Sequence, residues 1–178
     1  MNLKGMGVGL LLGAVSAMAT AEPVPIVTYQ PNTTLVSPAA QKVVLVGGCF
    51  DILHYGHLQF LEKAKTQGDY LIVALEPDAR IIKTKKRQPL HTQKQRAYNL
   101  SQLRNVDAIL LLGDMPTFQD YAQLVKDVHP KIIAITADDP QWQNKQKQAA
   151  LVGATVVVVT PRIGTFSSSK IVEKLSEY

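Results

Sequence analysis

Five apolar runs of strand length recur between residues 42 and 178, and stretches of helix length separate most of them. The runs are rich in Val, Ile and Leu and show little period-two alternation, which is typical of strands buried on both faces of a parallel sheet. They cover Val43–Val46, Tyr70–Leu75, Ala108–Leu112, Ile132–Ile135 and Thr155–Val159.

The stretches between these runs carry apolar residues at helical spacing. In the first stretch, Leu58, Leu61 and Ala64 fall on one face of a helix. Further helices are predicted over Thr92–Leu103, Phe118–Val128, Gln141–Leu151 and from the serine cluster at residues 167–169 onward. Strands that alternate with helices predict an α/β fold, a Rossmann-like doubly wound, mainly parallel five-stranded sheet with helices on both faces.

The first 41 residues lack this alternation and divide into two segments. Residues 1–22 resemble a secretory signal peptide with cleavage near Ala19 or Ala21; a membrane anchor and a packed N-terminal helix are the alternatives. Residues 23–41 contain four prolines and no charge, and we interpret them as an extended linker. We therefore expect one α/β domain over residues 42–178 that folds without residues 1 to about 38.

The charge of the chain is unevenly distributed. The net charge is +5, and basic residues concentrate in KTKKRQ at residues 83–88. This run indicates either an anionic ligand or a solvated loop, and it is too short and too poor in aromatic residues to predict a nucleic-acid partner. The single cysteine, Cys49, excludes a disulfide within the chain, and its place at the end of an apolar run favours packing over reactivity.

The residues that follow the first apolar run have the chemistry of a phosphate site. Ligands of open parallel sheets bind beyond the carboxyl ends of the strands. Gly47 and Gly48 allow close approach of the backbone, and His54 and His57 follow where a helix begins. A helix N-terminus combined with imidazole donors suits a phosphate group. A metal site would be the competing use of two histidines, but no third ligand lies at a suitable spacing.

A second cluster of this kind follows the last apolar run. It consists of Arg162, the serines Ser167, Ser168 and Ser169, and Lys170. Ser167 suits a helix N-cap, and Arg162 suits bidentate contact with phosphate. Lys170 in a first helical turn opposes the helix dipole by about 0.3–1 kcal/mol, a misfit that a bound polyanion would remove. An exposed, solvated Lys170 is the alternative.

Two motifs carry a family resemblance. GGCFDILHYGH, at residues 47–57, resembles the G-x-F-D-x-x-H-x-G-H signature of the cytidylyltransferase-like nucleotidyltransferases. PRIGTFSSSKI, at residues 161–171, is similar to their second signature. Within this superfamily the chain resembles glycerol-3-phosphate cytidylyltransferase and the adenylyltransferase domain that activates heptose 1-phosphate. The resemblance implies transfer of CMP or AMP from a nucleoside triphosphate to a sugar phosphate or glycerol phosphate, with release of pyrophosphate.

The resemblance also implies roles for individual residues. His54 and His57 would contact the triphosphate and stabilise the transition state, with Lys83 and Lys170 as further catalytic residues. The implied nucleotide-binding residues are Gly48, Cys49, Phe50, His54, His57, Asp138, Arg162, Ser167, Ser168, Ser169 and Lys170. The implied acceptor-binding residues are Lys83, Lys85 and Arg96. A one-residue gap in the match leaves open which of the two lysines acts.

The expected partners and cofactor follow from the same resemblance. A Mg²⁺ ion would be bound mainly through the triphosphate, and a homodimer is a further expectation. The need for nucleoside triphosphates favours a cytoplasmic location, although the signal-like residues 1–22 leave export or membrane anchoring open. A catalytically inactive nucleotide- or sugar-phosphate-binding module on the same fold is the alternative to an enzyme, since fold alone does not decide function.

Overall fold

A computed structural model describes residues 22–33, 41–161 and 168–175, and these residues form six strands and six helices. The strands are β1 (Ile26–Thr28), β2 (Val43–Gly48), β3 (Tyr70–Leu75), β4 (Ala108–Leu111), β5 (Ile132–Thr136) and β6 (Thr155–Thr160). The helices are α1 (Tyr55–Lys65), α2 (Asp78–Lys85), α3 (Gln93–Ser101), α4 (Phe118–Val128), α5 (Trp142–Ala150) and α6 (Ser168–Leu175).

The strands form one sheet in the order β1-β4-β3-β2-β5-β6, and every pairing is parallel. Alternate residues of β2 pack into opposite layers: Val44 and Val46 join residues of α1 and α3, whereas Val43 and Leu45 join residues of α4 and α5. Both faces of the sheet are therefore covered, as apolar runs without alternation predict. The Rossmann-like α/β fold with helices on both faces is confirmed, with six strands in place of the predicted five.

The additional strand lies in the segment that we interpreted as a linker, and that interpretation is wrong for residues 25–32. β1 pairs with β4 at one edge of the sheet. Tyr29 is 5% exposed, belongs to the core, and donates its hydroxyl to Asp127 Oδ2 at 2.8 Å. The backbone N–H of Asn32 donates to the same oxygen at 2.9 Å. The folded unit therefore begins upstream of residue 42. Contrary to the sequence-based expectation, removal of residues 1 to about 38 should lower its stability.

The signal-like N-terminus lies outside the described residues up to position 21, and residues 34–40 are likewise not described. Across the three described ranges, the structure contains no helix that is both long and apolar enough to cross a membrane.

The basic run begins inside a helix that the sequence pattern did not reveal. α2 ends at Lys85, and Lys86 follows in a left-handed conformation with φ of 54°. Among the eight residues of α2, only Ile81 is buried, so no apolar face repeats along it. The last residue of the helix, Lys85, lies beside the carboxyl ends of β2, β5 and β6.

Candidate active site

The strand order places a topological switch point between β2 and β5. From β2 the chain runs to β3 and β4 on one side, and then to β5 and β6 on the other. In open parallel sheets, the connections leave such a point in opposite directions and open a crevice at the carboxyl edge. The loop after β2 and the loop after β5 both line this crevice.

The loop after β2 makes a tight turn before α1. Phe50 adopts a left-handed conformation with φ of 46°, which is uncommon for an aromatic residue and often marks functional sites. Gly48 accommodates the turn, because a Cβ at this position would lie 2.8 Å from the Phe50 ring. The chain then enters α1 at Tyr55 with His54 as the N-cap residue.

The start of α1 lacks the side chains that ordinarily complete a helix N-terminus. His54 makes no side-chain cap hydrogen bond, and the first turn contains no acidic residue. The positive end of the helix dipole therefore faces the crevice without a neutralising carboxylate, which favours an anionic ligand.

The two histidines lie face to face at this helix start. The rings of His54 and His57 are stacked with centroids 3.8 Å apart and planes 22° from parallel. The ring of Phe50 packs at 5.0 Å from that of His57. His57 Nδ1 lies 3.0 Å from the carbonyl oxygen of Ile52. Because a carbonyl oxygen only accepts, Nδ1 carries the proton in this contact, and Nε2 of a neutral His57 is unprotonated.

Both histidines favour their neutral forms. Burial, followed by the neighbouring His54, lowers the pKa of His57 to about 3. Burial and then the charge of Lys85 also lower the pKa of His54. His54 Nδ1 is buried and has no hydrogen-bond partner within the described chain. A buried polar atom without a partner is rare, and at the edge of a cavity such an atom suits a hydrogen bond to a ligand.

Two cavities meet at the switch point. The first, which we call the histidine cavity, measures about 250 Å³ and lies between α1 and the ends of β2, β5 and β6. Its polar lining residues are His54, His57, Lys85, Thr136, Asp139, Lys145, Thr160 and Ser168. The second, the Glu76 cavity, measures about 410 Å³ and lies on the opposite face, between the strand ends, α4 and α5. Its lining includes Glu76, Arg80, Tyr121, Lys145 and Gln148. Gly47, Gly48, Cys49 and Lys145 line both cavities.

Comparisons with known proteins identify this architecture. The family model described as Cytidylyltransferase-like matches residues 45–174. The chain belongs to the cytidylyltransferase-like family. The family resemblance of the two motifs is therefore confirmed, and with it the assignment of the chain to the nucleotidyltransferase enzymes.

Individual relatives agree with this family. The chain is 36% identical over 149 residues to the bifunctional protein HldE of Campylobacter jejuni subsp. doylei, covering 81% of this chain and 30% of the relative. It is 35% identical over 137 residues to HldE of Helicobacter pylori, covering 76% and 28%. The chain thus spans less than a third of the length of these curated relatives.

Solved structures show the same fold. A lipopolysaccharide core biosynthesis protein from Thermoplasma volcanium superposes with a TM-score of 0.56 at 29% identity, covering 68% of this chain and 96% of that one. A pantoate-beta-alanine ligase from Francisella tularensis superposes with a TM-score of 0.52 at 17% identity, covering 82% and 73%, a likeness of fold alone.

The structure separates the two lysines that the family resemblance left unresolved. Lys85 lines the histidine cavity and acts electrostatically on His54, His57 and Cys49. Lys83 is exposed and lines neither cavity. Of the two, Lys85 is the one in position to contact a ligand of this cytidylyltransferase-like domain.

The predicted role of Arg96 in acceptor binding is wrong. Arg96 is 1% exposed, and its guanidinium donates to the carbonyl groups of Cys49, Glu76 and His91 and to the Asp78 carboxylate. It lines neither the histidine cavity nor the Glu76 cavity. Arg96 instead ties together the loops after β2 and β3, which carry the site.

Asp51 of the first signature has a similar structural role that the sequence did not reveal. It is 1% exposed, and its Oδ1 accepts from the backbone N–H of Leu90 at 2.9 Å. Its Oδ2 lies 2.6 Å from Arg87 Nη2. Burial alone would raise the pKa of Asp51, but Arg87 and the N–H groups of His91 and Leu90 hold it below its usual value. Asp51 therefore fixes the segment that follows α2 against the site loop.

The acidic pair after β5 is placed differently from the prediction. Asp138 is exposed, has a φ of 59°, and lines a shallow surface pocket outside the histidine cavity. The cavity is lined by Asp139 instead, which accepts from Lys145 Nζ at 2.7 Å. Lys145 lies in no recognisable sequence motif, because its place in both cavities depends on how α5 packs.

The second signature is only partly described. Ser168 is 3% exposed and lines the histidine cavity at the start of α6. Lys170 is exposed in the first turn of α6 and is not part of the cavity lining. Arg162 and Ser167 lie outside the described residues, as does the side chain of Ser169. Their predicted roles, and that of Lys170, stay predictions.

Cys49 lies between the two cavities, next to Gly48 and the buried Phe50. Burial raises the pKa of its thiol, although the charge of Lys85 opposes this. A neutral thiol is a weak nucleophile, which agrees with the expected packing role.

The carboxylates near the site do not form a metal-binding site from protein side chains alone in the described part of the chain. Within residues 22–33, 41–161 and 168–175, no three His, Cys, Asp or Glu side chains cluster as metal ligands. Asp139 is the carboxylate of the histidine cavity, and it is paired with Lys145. This donor set fits a Mg²⁺ ion that takes most of its ligands from a triphosphate and water, and the ion stays a prediction.

Proposed function

We propose that this chain transfers CMP or AMP from a nucleoside triphosphate to a phosphorylated small acceptor, a sugar phosphate or glycerol phosphate, and releases pyrophosphate. The observation that carries the proposal is the stacked His54–His57 pair at an uncapped helix start, with His54 Nδ1 buried and unpartnered within the described chain. This pair lies at the switch point where nucleotides bind in doubly wound sheets.

The two cavities suit the two substrates. The histidine cavity combines the helix start with Lys85, Lys145 and Ser168, a donor set for a triphosphate. The Glu76 cavity, on the other face, would hold the acceptor. In-line phosphoryl chemistry requires the attacking and leaving oxygens on opposite sides of phosphorus. Substrates that meet at Gly47–Cys49 from opposite cavities would satisfy this requirement.

The reaction needs no strong base. An oxygen of the acceptor phosphate, which is already anionic, attacks the α-phosphorus and forms a phosphoanhydride bond. The bond between the α-phosphorus and its bridging oxygen to the β-phosphate breaks, and that electron pair leaves with pyrophosphate. Catalysis then depends on positioning and on neutralising the charge that grows on the leaving oxygens.

The histidines would supply part of that neutralisation. With Nδ1 of His57 donating to Ile52, its Nε2 can donate to a phosphate oxygen only after the ring gains a proton. A bound triphosphate favours such a proton, because an adjacent anion raises the pKa of an imidazole. His54 would use its unpartnered Nδ1 on the same polyanion.

Lysine residues would complete the charge balance. Lys85 and Lys145 line the histidine cavity, and Lys170 lies in the first turn of α6, which begins there. A Mg²⁺ ion, held on the protein side by Asp139, would supply further positive charge to neutralise the leaving group.

The alternative is a nucleotide- or sugar-phosphate-binding module without catalysis. The presence of both histidines, Lys85 and Ser168 around one cavity favours the enzyme. Incubation of the chain with CTP or ATP, Mg²⁺ and a panel of phosphorylated acceptors, followed by measurement of pyrophosphate, separates the two. Acceptor-dependent release supports the enzyme, whereas nucleotide binding without release under all combinations supports the binding module.

A further inference from the structure

The Glu76 cavity contains a carboxylate, which is an unexpected group in a place assigned to an anionic acceptor. The backbone of Glu76 is fixed on both sides: its N–H donates to the Gly48 carbonyl at 3.0 Å, and its carbonyl accepts from Arg96 at 2.9 Å. Its side chain lines the cavity at the edge that the two cavities share. A carboxylate held so close to the reacting groups requires an explanation in terms of the ligand.

The carboxylate is held by one neighbour and leaves one oxygen for a ligand. Oε1 accepts from the hydroxyl of Tyr121 at 2.8 Å. Oε2 has no hydrogen-bond partner in the described chain, and Glu76 takes part in none of the ion pairs found there. Burial raises the pKa of Glu76, against the opposing effects of Tyr121 and Arg80. A partly desolvated carboxylate gains from any donor that a ligand brings.

A second polar group without a partner lines the same cavity. Gln148 on α5 is only 6% exposed, and its amide makes no hydrogen bond among the described residues. Its amide atoms stay accessible from the cavity, where a ligand can hydrogen-bond to them. An amide offers both donors and an acceptor, whereas the free oxygen of Glu76 accepts. This combination matches hydroxyl groups, which both donate and accept.

We propose that Glu76, oriented by Tyr121, and Gln148 recognise hydroxyl groups on the body of the acceptor, so that the chain selects phosphorylated polyols or sugars without a second charged group. The inference rests on the proposed function, because it assigns the Glu76 cavity to the acceptor. A second anionic group would be repelled by Glu76. A cationic group would be attracted by Glu76 but repelled by both Arg80 and Lys145, which line the same cavity.

Three small phosphates test this selectivity directly. Glycerol 3-phosphate, 3-phosphoglycerate and phosphoethanolamine carry a hydroxyl, a carboxylate and an ammonium group, respectively, at the end opposite the phosphate, and glucose 1-phosphate adds a larger hydroxylated body. Binding of each is measured by titration calorimetry with Mg²⁺ and an α,β-methylene analogue of CTP or ATP present. We expect wild type to bind glycerol 3-phosphate or glucose 1-phosphate at least about tenfold more tightly than the two charged compounds.

Variants then assign the selectivity to Glu76. Glu76→Gln keeps the shape and the Tyr121 contact, and it should weaken binding of the hydroxylated phosphates by about tenfold, since hydrogen bonds to charged groups are the stronger ones. Glu62→Gln makes the same chemical change on an exposed helix position and should bind like wild type. Tyr121→Phe, which leaves the charge but frees the carboxylate, should cause a smaller loss in the same direction. It also serves as the test if Glu76→Gln does not fold.

Several outcomes overturn the inference. They are a wild type that binds none of the hydroxylated phosphates, one that binds a charged compound equally well, and a Glu76→Gln variant with unchanged binding. Pyrophosphate release with the same compounds tests the proposed function separately. Release that is insensitive to Glu76→Gln supports nucleotidyl transfer and overturns the inference. Glu76-dependent binding without any release supports the recognition of hydroxyls and refutes the transfer.

Discussion

Nucleotide binding should bring a proton to the His54–His57 pair. In the free protein, the pKa of about 3 keeps His57 neutral near pH 7. Its Nδ1 donates to the carbonyl oxygen of Ile52, and its Nε2 carries no proton. A triphosphate oxygen beside Nε2 has no donor to accept from until the ring is protonated. Because the two rings are stacked 3.8 Å apart, charging one disfavours charging the other, so the pair should take up at most one proton.

The free-energy cost of protonating His57 is similar to the attraction between the charged ring and one phosphate charge. Protonating a group with a pKa of about 3 near pH 7 costs about 5.4 kcal/mol. One unit charge at about 3 Å contributes roughly 5.5 kcal/mol at an effective dielectric constant of about 20. A single phosphate charge therefore just offsets the cost, and a second one exceeds it. We expect uptake of about 0.5 to 1 proton per nucleotide, with little net gain in nucleotide affinity from the pair.

Calorimetric titration of CTP or ATP with Mg²⁺ in buffers of different ionisation enthalpy measures this uptake. The slope of the observed enthalpy against the buffer enthalpy gives the number of protons. The variant that combines His54→Gln with His57→Gln is the control, since it removes the pair and leaves the protons of the nucleotide itself. A wild-type slope equal to that of the double variant would refute the reasoning on the histidine pair.

Three further predictions follow from the structure. Lys85→Met should lower the rate of pyrophosphate release by about 10²-fold, the effect of losing one preorganised donor, whereas Lys83→Met should leave the rate unchanged. Equal rates for the two variants in steady-state assays would contradict the placement of Lys85 in the cavity. Lys170→Glu should weaken nucleotide binding, because it replaces a positive charge in the first turn of α6 by a negative one. Unchanged affinity in calorimetry would contradict a role for Lys170 in nucleotide binding. A chain that begins at Gln41 should have a free energy of unfolding in urea about 3 kcal/mol lower than one that begins at Glu22, because it loses the buried Tyr29. Equal unfolding midpoints would show that β1 contributes nothing to stability.

The central strands were predictable because their apolar character is local. β2, β3 and β5 are each buried on both faces, and an unbroken run of Val, Ile and Leu carries that information within a few residues. β1 carries no such run. It has three residues, Ile26 and Val27 are each 42% exposed, and its partner β4 lies about 80 residues away. Pairing at such a distance leaves no period in the sequence.

The site was predictable to the extent that one loop carries it. His54, His57 and Gly48 lie in one signature at a strand-to-helix junction, and the structure brings them together as expected. The roles of Arg96 and Glu76 depend on contacts across the fold. Arg96 donates to carbonyl groups on two other loops. Glu76 accepts a hydrogen bond from Tyr121, which lies on α4, 45 positions later in the chain. The family resemblance implied an acceptor contact for Arg96, whereas packing buries its guanidinium against backbone carbonyl groups.

The central claim is tested most directly by pyrophosphate release in His57→Ala and His54→Ala, alongside nucleotide binding and thermal melts. Wild type should release pyrophosphate only when a phosphorylated acceptor is present. Each variant should keep its fold and most of its nucleotide affinity, and lose about 10²–10³ in kcat, because the donors act on charge that grows in the transition state. The double variant should fall short of the product of the two losses if both rings contact one phosphate group. Near-normal kcat in both single variants, or loss of activity that follows unfolding, would contradict the assigned role of the histidine pair.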